Sequence, residues 1–129
     1  MTRDIILKLW PITPPPDCFN VPLAHKICEF YKLFHKCLIL FPKHEKYTLG
    51  QKIENTILEA LELILSASYA VSVYKKDILR KANNKIDLLK YLVRLAQETE
   101  SVKPKNYLTL EQAILEIGKM IGGWRRYLK

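Results

Sequence analysis

The chain has 129 residues, a length that fits one domain whose hydrophobic core needs neither disulfides nor a metal ion. Its 21 Lys and Arg residues outnumber its 13 Asp and Glu residues, and the resulting charge of +8 favours a polyanionic partner such as a nucleic acid. No apolar run reaches the roughly 18 residues of a membrane span, and the first residues lack a signal-peptide pattern. We therefore expect a cytoplasmic protein without a membrane partner.

The first 22 residues are predicted to form an extended N-terminal arm, followed by one domain over residues 23–129. Residues 3–10 are β-capable, and residues 11–17 contain four prolines, which lack a backbone donor and restrict the residues before them. This proline-rich segment is therefore expected to be extended. A disordered leader and an arm docked on a neighbouring surface both fit the sequence, and the apolar residues between Ile5 and Trp10 favour docking.

Apolar residues at helical spacing predict four helices in the rest of the chain. The first should span about residues 21–40 and stop at Pro42. The second should run from Thr48, a suitable N-cap, to about residue 74, and its wide apolar arc predicts neighbours on two sides. The third should begin at Asp77, acting as a cap, and end near residue 101.

The fourth predicted helix, residues 109–129, has one narrow apolar stripe. Trp124 lies on this stripe, so a core position is its favoured interpretation. Gly118, Gly122 and Gly123 lie beside the stripe. Because a glycine inside a helix costs about 1 kcal/mol relative to alanine, these glycines predict the close approach of another backbone, within the chain or from a second subunit. Short connections between the four helices predict an all-α, up-down-up-down four-helix bundle.

Positive charge is spread unevenly over these helices. Residues 48–74 carry one basic and three acidic side chains, whereas residues 102–129 carry six basic and two acidic ones. On the third helix, five polar side chains gather on the side predicted to face away from the core: Lys76, Arg80, Asn83, Lys90 and Arg94. Lys81 and Lys85 fall at the edge of the apolar arc. Their aliphatic stems can cover the core while the ammonium groups reach water, or they can face an inter-subunit groove or a phosphate path.

No catalytic site is visible in the sequence. Glu59, Glu62 and Glu116 all lie on predicted solvent-facing sides, and no strand precedes a glycine-rich phosphate loop. The three cysteines are an odd number without C-x-x-C spacing, so we expect reduced thiols, no metal site and no cofactor. We therefore predict a protein that is not an enzyme and has no small-molecule substrate.

The residues present agree better with nucleic-acid binding than with catalysis. Basic residues are expected at the helix connections and at the C-terminus: Lys43, Lys46, Lys75, Lys76, Lys103, Lys105, Arg125, Arg126 and Lys129. Four aromatic side chains lie among them and can stack on bases: Tyr47, Tyr107, Trp124 and Tyr127. Each also fits a core position, which is the preferred interpretation for Trp124. Because no helix-turn-helix or zinc-finger reading element is visible, we predict salt-sensitive binding with little sequence specificity.

Three segments in the same order resemble a family of four-helix-bundle proteins. They are residues 41–53, 84–95 and 116–124. The family includes the accessory variability determinant (Avd) proteins of diversity-generating retroelements and related proteins encoded within ribosomal RNA intervening sequences. Thr48-Leu49-Gly50 and Gly122-Gly123-Trp124 resemble the retroelement branch in particular.

The resemblance implies a non-enzymatic homo-oligomeric barrel, a pentamer, that binds the reverse transcriptase of the element and its template RNA or RNA/DNA hybrid. Such a protein supports mutagenic reverse transcription and retrohoming. The alternative is a structural or interaction module of the ribosomal intervening-sequence type, and a neighbouring reverse-transcriptase gene would separate the two. The nucleic-acid-binding candidates are Lys43, Lys46, Lys52, Lys85, Arg94, Lys119, Arg125 and Arg126. The oligomer-packing candidates are Gly118, Gly122, Gly123 and Trp124.

Overall fold

The computed structural model describes residues 20–128, with side chains from residue 22 onward. Residues 1–19, and with them the predicted β-capable stretch and proline-rich segment, lie outside this range, as does residue 129. The described elements are α1 (Asn20–Ile39), α2 (Lys43–Glu45), a π-helical turn (Lys46–Gly50), α3 (Gln51–Tyr69), α4 (Ser72–Glu98) and α5 (Pro104–Leu128). Residues 20–128 contain no strand, so the all-α prediction is confirmed for this range.

The four long helices α1, α3, α4 and α5 form a closed circuit in which each packs on two neighbours. Helix α3 lies between α1 and α4, and α5 lies between α4 and α1. Helix α1 is antiparallel to α3, because the Tyr31 hydroxyl donates to the Glu54 carboxylate (3.0 Å) while Leu38, later in α1, lies against the earlier Gly50. Short connections join α3 to α4 and α4 to α5. This is the arrangement of an up-down-up-down bundle. The predicted assembly of several chains into a barrel stays a prediction.

One hydrophobic core fills the centre of the circuit, and every long helix contributes to it at helical spacing. Its largest fully buried side chains are Leu23, Ile27, Phe30, Phe34, Ile53, Ile57, Ile64, Leu79, Ile86, Leu89, Leu110 and Ile114. Each contributes about 1.5–3 kcal/mol of burial free energy before conformational entropy is counted. The two neighbours predicted for the second helix are confirmed as α1 and α4. Leu58 and Leu65, at the edge of its apolar arc, remain 43% and 38% exposed.

The second helical segment begins earlier than predicted. The Pro42 carbonyl accepts hydrogen bonds from the backbone N–H groups of Glu45 and Lys46, both at 2.9 Å, so the chain is already helical before Thr48. The Thr48 hydroxyl donates to the His44 carbonyl at 3.2 Å, which is the contact of an interior helical residue. The prediction of Thr48 as an N-cap is therefore wrong.

The connection between α3 and α4 also differs from the prediction. Ala70 and Val71 are extended, with ψ of 153° and 155°, so α3 ends at Tyr69 and α4 begins at Ser72. Asp77 lies inside α4 and accepts a hydrogen bond from Arg80 at 2.6 Å. The prediction that Asp77 caps the third helix is wrong for this reason.

Lys75 is a structural residue, not the exposed loop cation that the sequence suggests. Its side chain is 4% exposed, and its Nζ donates to the carbonyls of Ala67 at 2.7 Å and Ser68 at 3.3 Å. These carbonyls belong to the last turn of α3, where no helical N–H follows to satisfy them. Lys75 therefore caps the C-terminus of α3 from the first turns of α4.

We expect Lys75→Met to lower the free energy of unfolding by about 1–3 kcal/mol, because two buried carbonyls lose a charged donor. Lys76→Met is the matched control, since Lys76 is exposed and the substitution removes the same charge. Its effect should stay within about 0.5 kcal/mol. Urea denaturation followed by circular dichroism measures both, and equal stability of the two variants would contradict the capping role.

The connection between α4 and α5 is a Schellman motif. The backbone N–H of Ser101 donates to the Ala96 carbonyl at 2.8 Å, and that of Glu100 donates to the Gln97 carbonyl at 3.0 Å. Glu100 adopts a left-handed φ of 62°. Helix α5 then starts at Pro104, one turn before the predicted Thr109, because proline is well accommodated in a first helical turn. The motif reverses the chain and lays α5 against α4.

Candidate nucleic-acid interface

A groove runs between α4 and α5 on the outside of the bundle. It consists of three adjoining depressions, which we call the arginine end, the middle and the tyrosine pocket. The arginine end is lined by Val73, Lys76, Asp77, Arg80, Gly122, Arg125 and Arg126. The middle is lined by Asn83, Lys90, Leu115, Gly118, Lys119, Gly122 and Arg126. The tyrosine pocket is lined by Lys90, Tyr91, Val93, Arg94, Tyr107, Glu111, Ile114 and Leu115. Because adjacent depressions share residues, the groove is continuous.

Basic side chains dominate the lining of this groove. The cations are Lys76, Arg80, Lys90, Arg94, Lys119, Arg125 and Arg126. Only two of its lining residues are acidic, Asp77 and Glu111. Charges of one sign gathered along a surface depression raise the local electrostatic potential and attract ligands of the opposite sign. The groove is therefore suited to a polyanion.

Ion pairs within the chain engage some of these cations but not others. Arg80 hydrogen-bonds to Asp77 at 2.6 Å and, together with Lys81, holds the pKa of that carboxyl below its ordinary value. Lys90 lies 3.5 Å from the Asp87 carboxylate. Within residues 20–128, no ion pair is found for Lys76, Lys119, Arg125 or Arg126. These four charges remain available to an external anion.

The tyrosine pocket combines an apolar floor with a polar rim. Its volume is about 240 Å³, and the buried side chains of Val93 and Ile114 form part of its lining. The Tyr107 hydroxyl donates to Glu111 Oε2 at 3.0 Å. The pKa of the Arg94 guanidinium lies above its ordinary value. The main cause is the interaction with the Tyr107 hydroxyl, and the charges of Glu98 and Glu111 contribute less.

A model of the bAvd-like family matches residues 22–128, which covers α1 to α5 almost completely. The chain belongs to the bAvd-like family. The match confirms the resemblance to the Avd proteins of diversity-generating retroelements, which are accessory proteins not known as catalysts. No curated protein matches the chain.

Four of the eight nucleic-acid-binding candidates line the groove of this bAvd-like chain. They are Arg94, Lys119, Arg125 and Arg126. Lys85 lies instead toward α3, where its Nζ donates to Glu59 at 3.1 Å. Lys43, Lys46 and Lys52 lie at the start of the second helical segment. The structure thus brings together only half of the predicted set, and a role for the other half stays a prediction.

The three glycines among the oligomer-packing candidates, Gly118, Gly122 and Gly123, have little contact with other helices in the bAvd-like chain. A Cβ added at Gly118 would lie 3.9 Å from Ile86, which is an ordinary contact. Within residues 20–128, a Cβ at Gly122 or Gly123 would meet only the Arg126 side chain, at 3.4 and 3.9 Å. The close approach that these glycines predict is therefore not made by another helix of the described chain.

Trp124 is 3% exposed, so its core position is confirmed. Its Nε1 atom has no hydrogen-bond partner within residues 20–128. The indole ring leaves little surface for a second subunit. A role in oligomer packing is therefore easier to reconcile with the half-buried Gly122 and Gly123 than with Trp124.

On the α4 side of the groove, Arg80 and Lys90 are not among the nucleic-acid-binding candidates from the sequence, whereas Lys76 is among the basic residues expected at the helix connections. Helical spacing places all three on a solvent-facing stripe. Tyr91 carried no distinguishing signal. What could not be predicted was that this stripe lies beside the basic edge of α5.

Within residues 20–128, no group of three or more His, Cys, Asp or Glu side chains is placed to hold a metal ion. In the same part of the chain, no helix is both long enough and apolar enough to cross a membrane.

Proposed function

We propose that this bAvd-like protein is a non-enzymatic accessory factor of a diversity-generating retroelement. It forms a homo-oligomer, a pentamer, and binds the template RNA or RNA/DNA hybrid along the α4–α5 groove. It holds this nucleic acid for the reverse transcriptase of the element and so supports mutagenic reverse transcription and retrohoming in the cytoplasm. The family membership supports the retroelement context.

The groove is the observation that carries the nucleic-acid part of the proposal. From Lys76 to Arg94 it follows α4 for about 27 Å, taking 1.5 Å per helical residue. Its seven basic and two acidic side chains suit a run of successive phosphates. Contacts with phosphates position a nucleic acid without reading its sequence, so most of the binding should be independent of sequence.

The glycines of α5 support assembly with further copies of the chain. Each interior glycine costs about 1 kcal/mol relative to alanine. For Gly122 and Gly123, no helix of the described chain comes close enough to offset that cost. Close packing of a second subunit against these glycines would offset their cost. Such local exceptions to helix propensity are expected at surfaces that serve a function.

We expect the purified protein to sediment as a homo-oligomer and to bind single-stranded RNA with a steep salt dependence. If five to seven phosphates contact the groove, the slope of log K against log salt concentration should be about −3.5 to −5. Fluorescence anisotropy at several salt concentrations measures the slope, and sedimentation velocity measures the assembly state. The protein should also stimulate complementary-DNA synthesis by the reverse transcriptase of its own element.

Each part of the proposal can fail separately in these measurements. RNA affinity that does not change with salt would exclude binding through the groove cations. A monomer at all concentrations would exclude the assembly. Unchanged complementary-DNA synthesis, with RNA binding intact, would remove the role with the reverse transcriptase.

A further inference from the structure

The tyrosine pocket contains features that phosphate binding does not require. Tyr91 is 75% exposed, and no other ring within residues 20–128 is stacked on it. Leu115 faces the same pocket and is also exposed. An exposed aromatic side chain beside an apolar floor is the usual platform for a nucleobase, because every base has a flat π-face.

The acidic side chain of the pocket is the second such feature. Glu111 repels phosphates, yet it lies in a groove otherwise lined by cations. Its Oε2 accepts the hydrogen bond from Tyr107, which fixes the carboxylate at the pocket wall. No donor within residues 20–128 reaches its Oε1. This oxygen can accept hydrogen bonds from a ligand.

The chemistry of a fixed carboxylate selects among the bases. Guanine presents two adjacent donors, N1–H and the N2 amino group, which match the two oxygens of a carboxylate. Adenine and cytosine offer an amino group beside a ring acceptor, which a carboxylate oxygen repels. Uracil offers one N–H between two carbonyls. Guanine is therefore the base that this pocket fits best, and only an unpaired guanine has these donors free.

We propose that the tyrosine pocket binds one unpaired guanine of the nucleic acid held along the α4–α5 groove, with Tyr91 stacking on the base and Glu111 accepting its N1–H and N2–H donors. This inference rests on the proposed function, because Lys90 and Arg94 at the pocket and Lys119 beyond it must hold the flanking phosphates. It adds a preference for one base to a groove that otherwise recognises phosphates.

The test compares the affinities of the full-length protein for two single-stranded RNAs. One contains only uridines, and the other contains a single central guanine, which cannot form a quadruplex. Anisotropy should show about tenfold tighter binding of the guanine RNA by the wild-type chain. In Glu111→Gln the preference for guanine should disappear. The variant should bind the uridine RNA at least as tightly as the wild-type chain does, because a negative charge is lost from the groove. Tyr91→Ala should weaken binding of both RNAs, and Tyr91→Phe should restore it.

The outcomes separate this proposal from the function on which it rests. Salt-sensitive binding of both RNAs with affinities within twofold of each other would overturn the guanine pocket and leave the groove intact. A full guanine preference in Glu111→Gln would also overturn the pocket without affecting the groove. Absence of binding to either RNA would overturn both. Thermal melts of each variant establish that the bundle is folded before affinities are compared.

Discussion

Replacing Gly50 with alanine is expected to lower the free energy of unfolding by about 1–3 kcal/mol, although alanine is the better helix former. The backbone of Gly50, with φ of −59° and ψ of −46°, does not itself require glycine. An added Cβ would, however, overlap Leu38 Cδ1 and lie 3.3 Å from the buried Phe41 ring, so both side chains must shift to admit it. Denaturant unfolding measures the change.

Gly118→Ala is the matched control and should have the opposite sign. The new methyl group would meet only Ile86 at 3.9 Å, so the gain in helix propensity should raise stability by about 1 kcal/mol. A double-mutant cycle with Leu38→Ala isolates the cause, because removing the Leu38 side chain should abolish most of the cost of Gly50→Ala. An unchanged cost in the Leu38→Ala background would show that the overlap is not responsible.

The second large effect concerns the arginine end of the groove. Arg125→Ala combined with Arg126→Ala should weaken RNA binding by on the order of 10- to 100-fold near physiological salt and reduce the salt slope by about 1.4. Both guanidinium groups line the depression and have no ion-pair partner within residues 20–128. Assembly should persist, because neither side chain is buried.

Lys43→Ala combined with Lys52→Ala is the control for net charge. Both side chains are exposed, both were candidates from the sequence, and their removal changes the charge by the same two units. We expect the RNA affinity to fall less than threefold, since only long-range attraction is lost. Equal losses for the two pairs would mean that overall charge, not the groove, determines binding, and a larger loss for Lys43 and Lys52 would move the interface to the second helical segment.

Much of the fold could be predicted because apolar spacing repeats without interruption in each long helix. The stripe of α5 from Leu110 to Trp124 is buried as the sequence indicated. The errors lie at helix ends. The sequence around Ala70 and Val71 contains no proline or glycine, and the end of α3 depends on capping by Lys75, a tertiary contact that local sequence does not reveal.

The candidate site was less predictable than the fold because it is formed by two helices. The basic stripe of α4 was visible from spacing alone, and so were the basic residues at the end of α5. Their juxtaposition depends on which helices are neighbours. Lys85 illustrates the reverse case, since its charge is as visible as that of Arg94 but the fold pairs it with Glu59 on another side of α4.

The circuit of helices has a consequence for the order of folding. Three of its four packings join helices that are consecutive in the chain, and only the contact of α5 with α1, which includes the Lys26–Glu116 ion pair, spans most of the sequence. Contacts this local are typical of domains that fold within microseconds to milliseconds. Because α5 is the last described helix to be synthesised, both the completed core and the α4–α5 groove depend on its docking. A nascent chain therefore lacks this groove until α5 has been synthesised and has packed on α4.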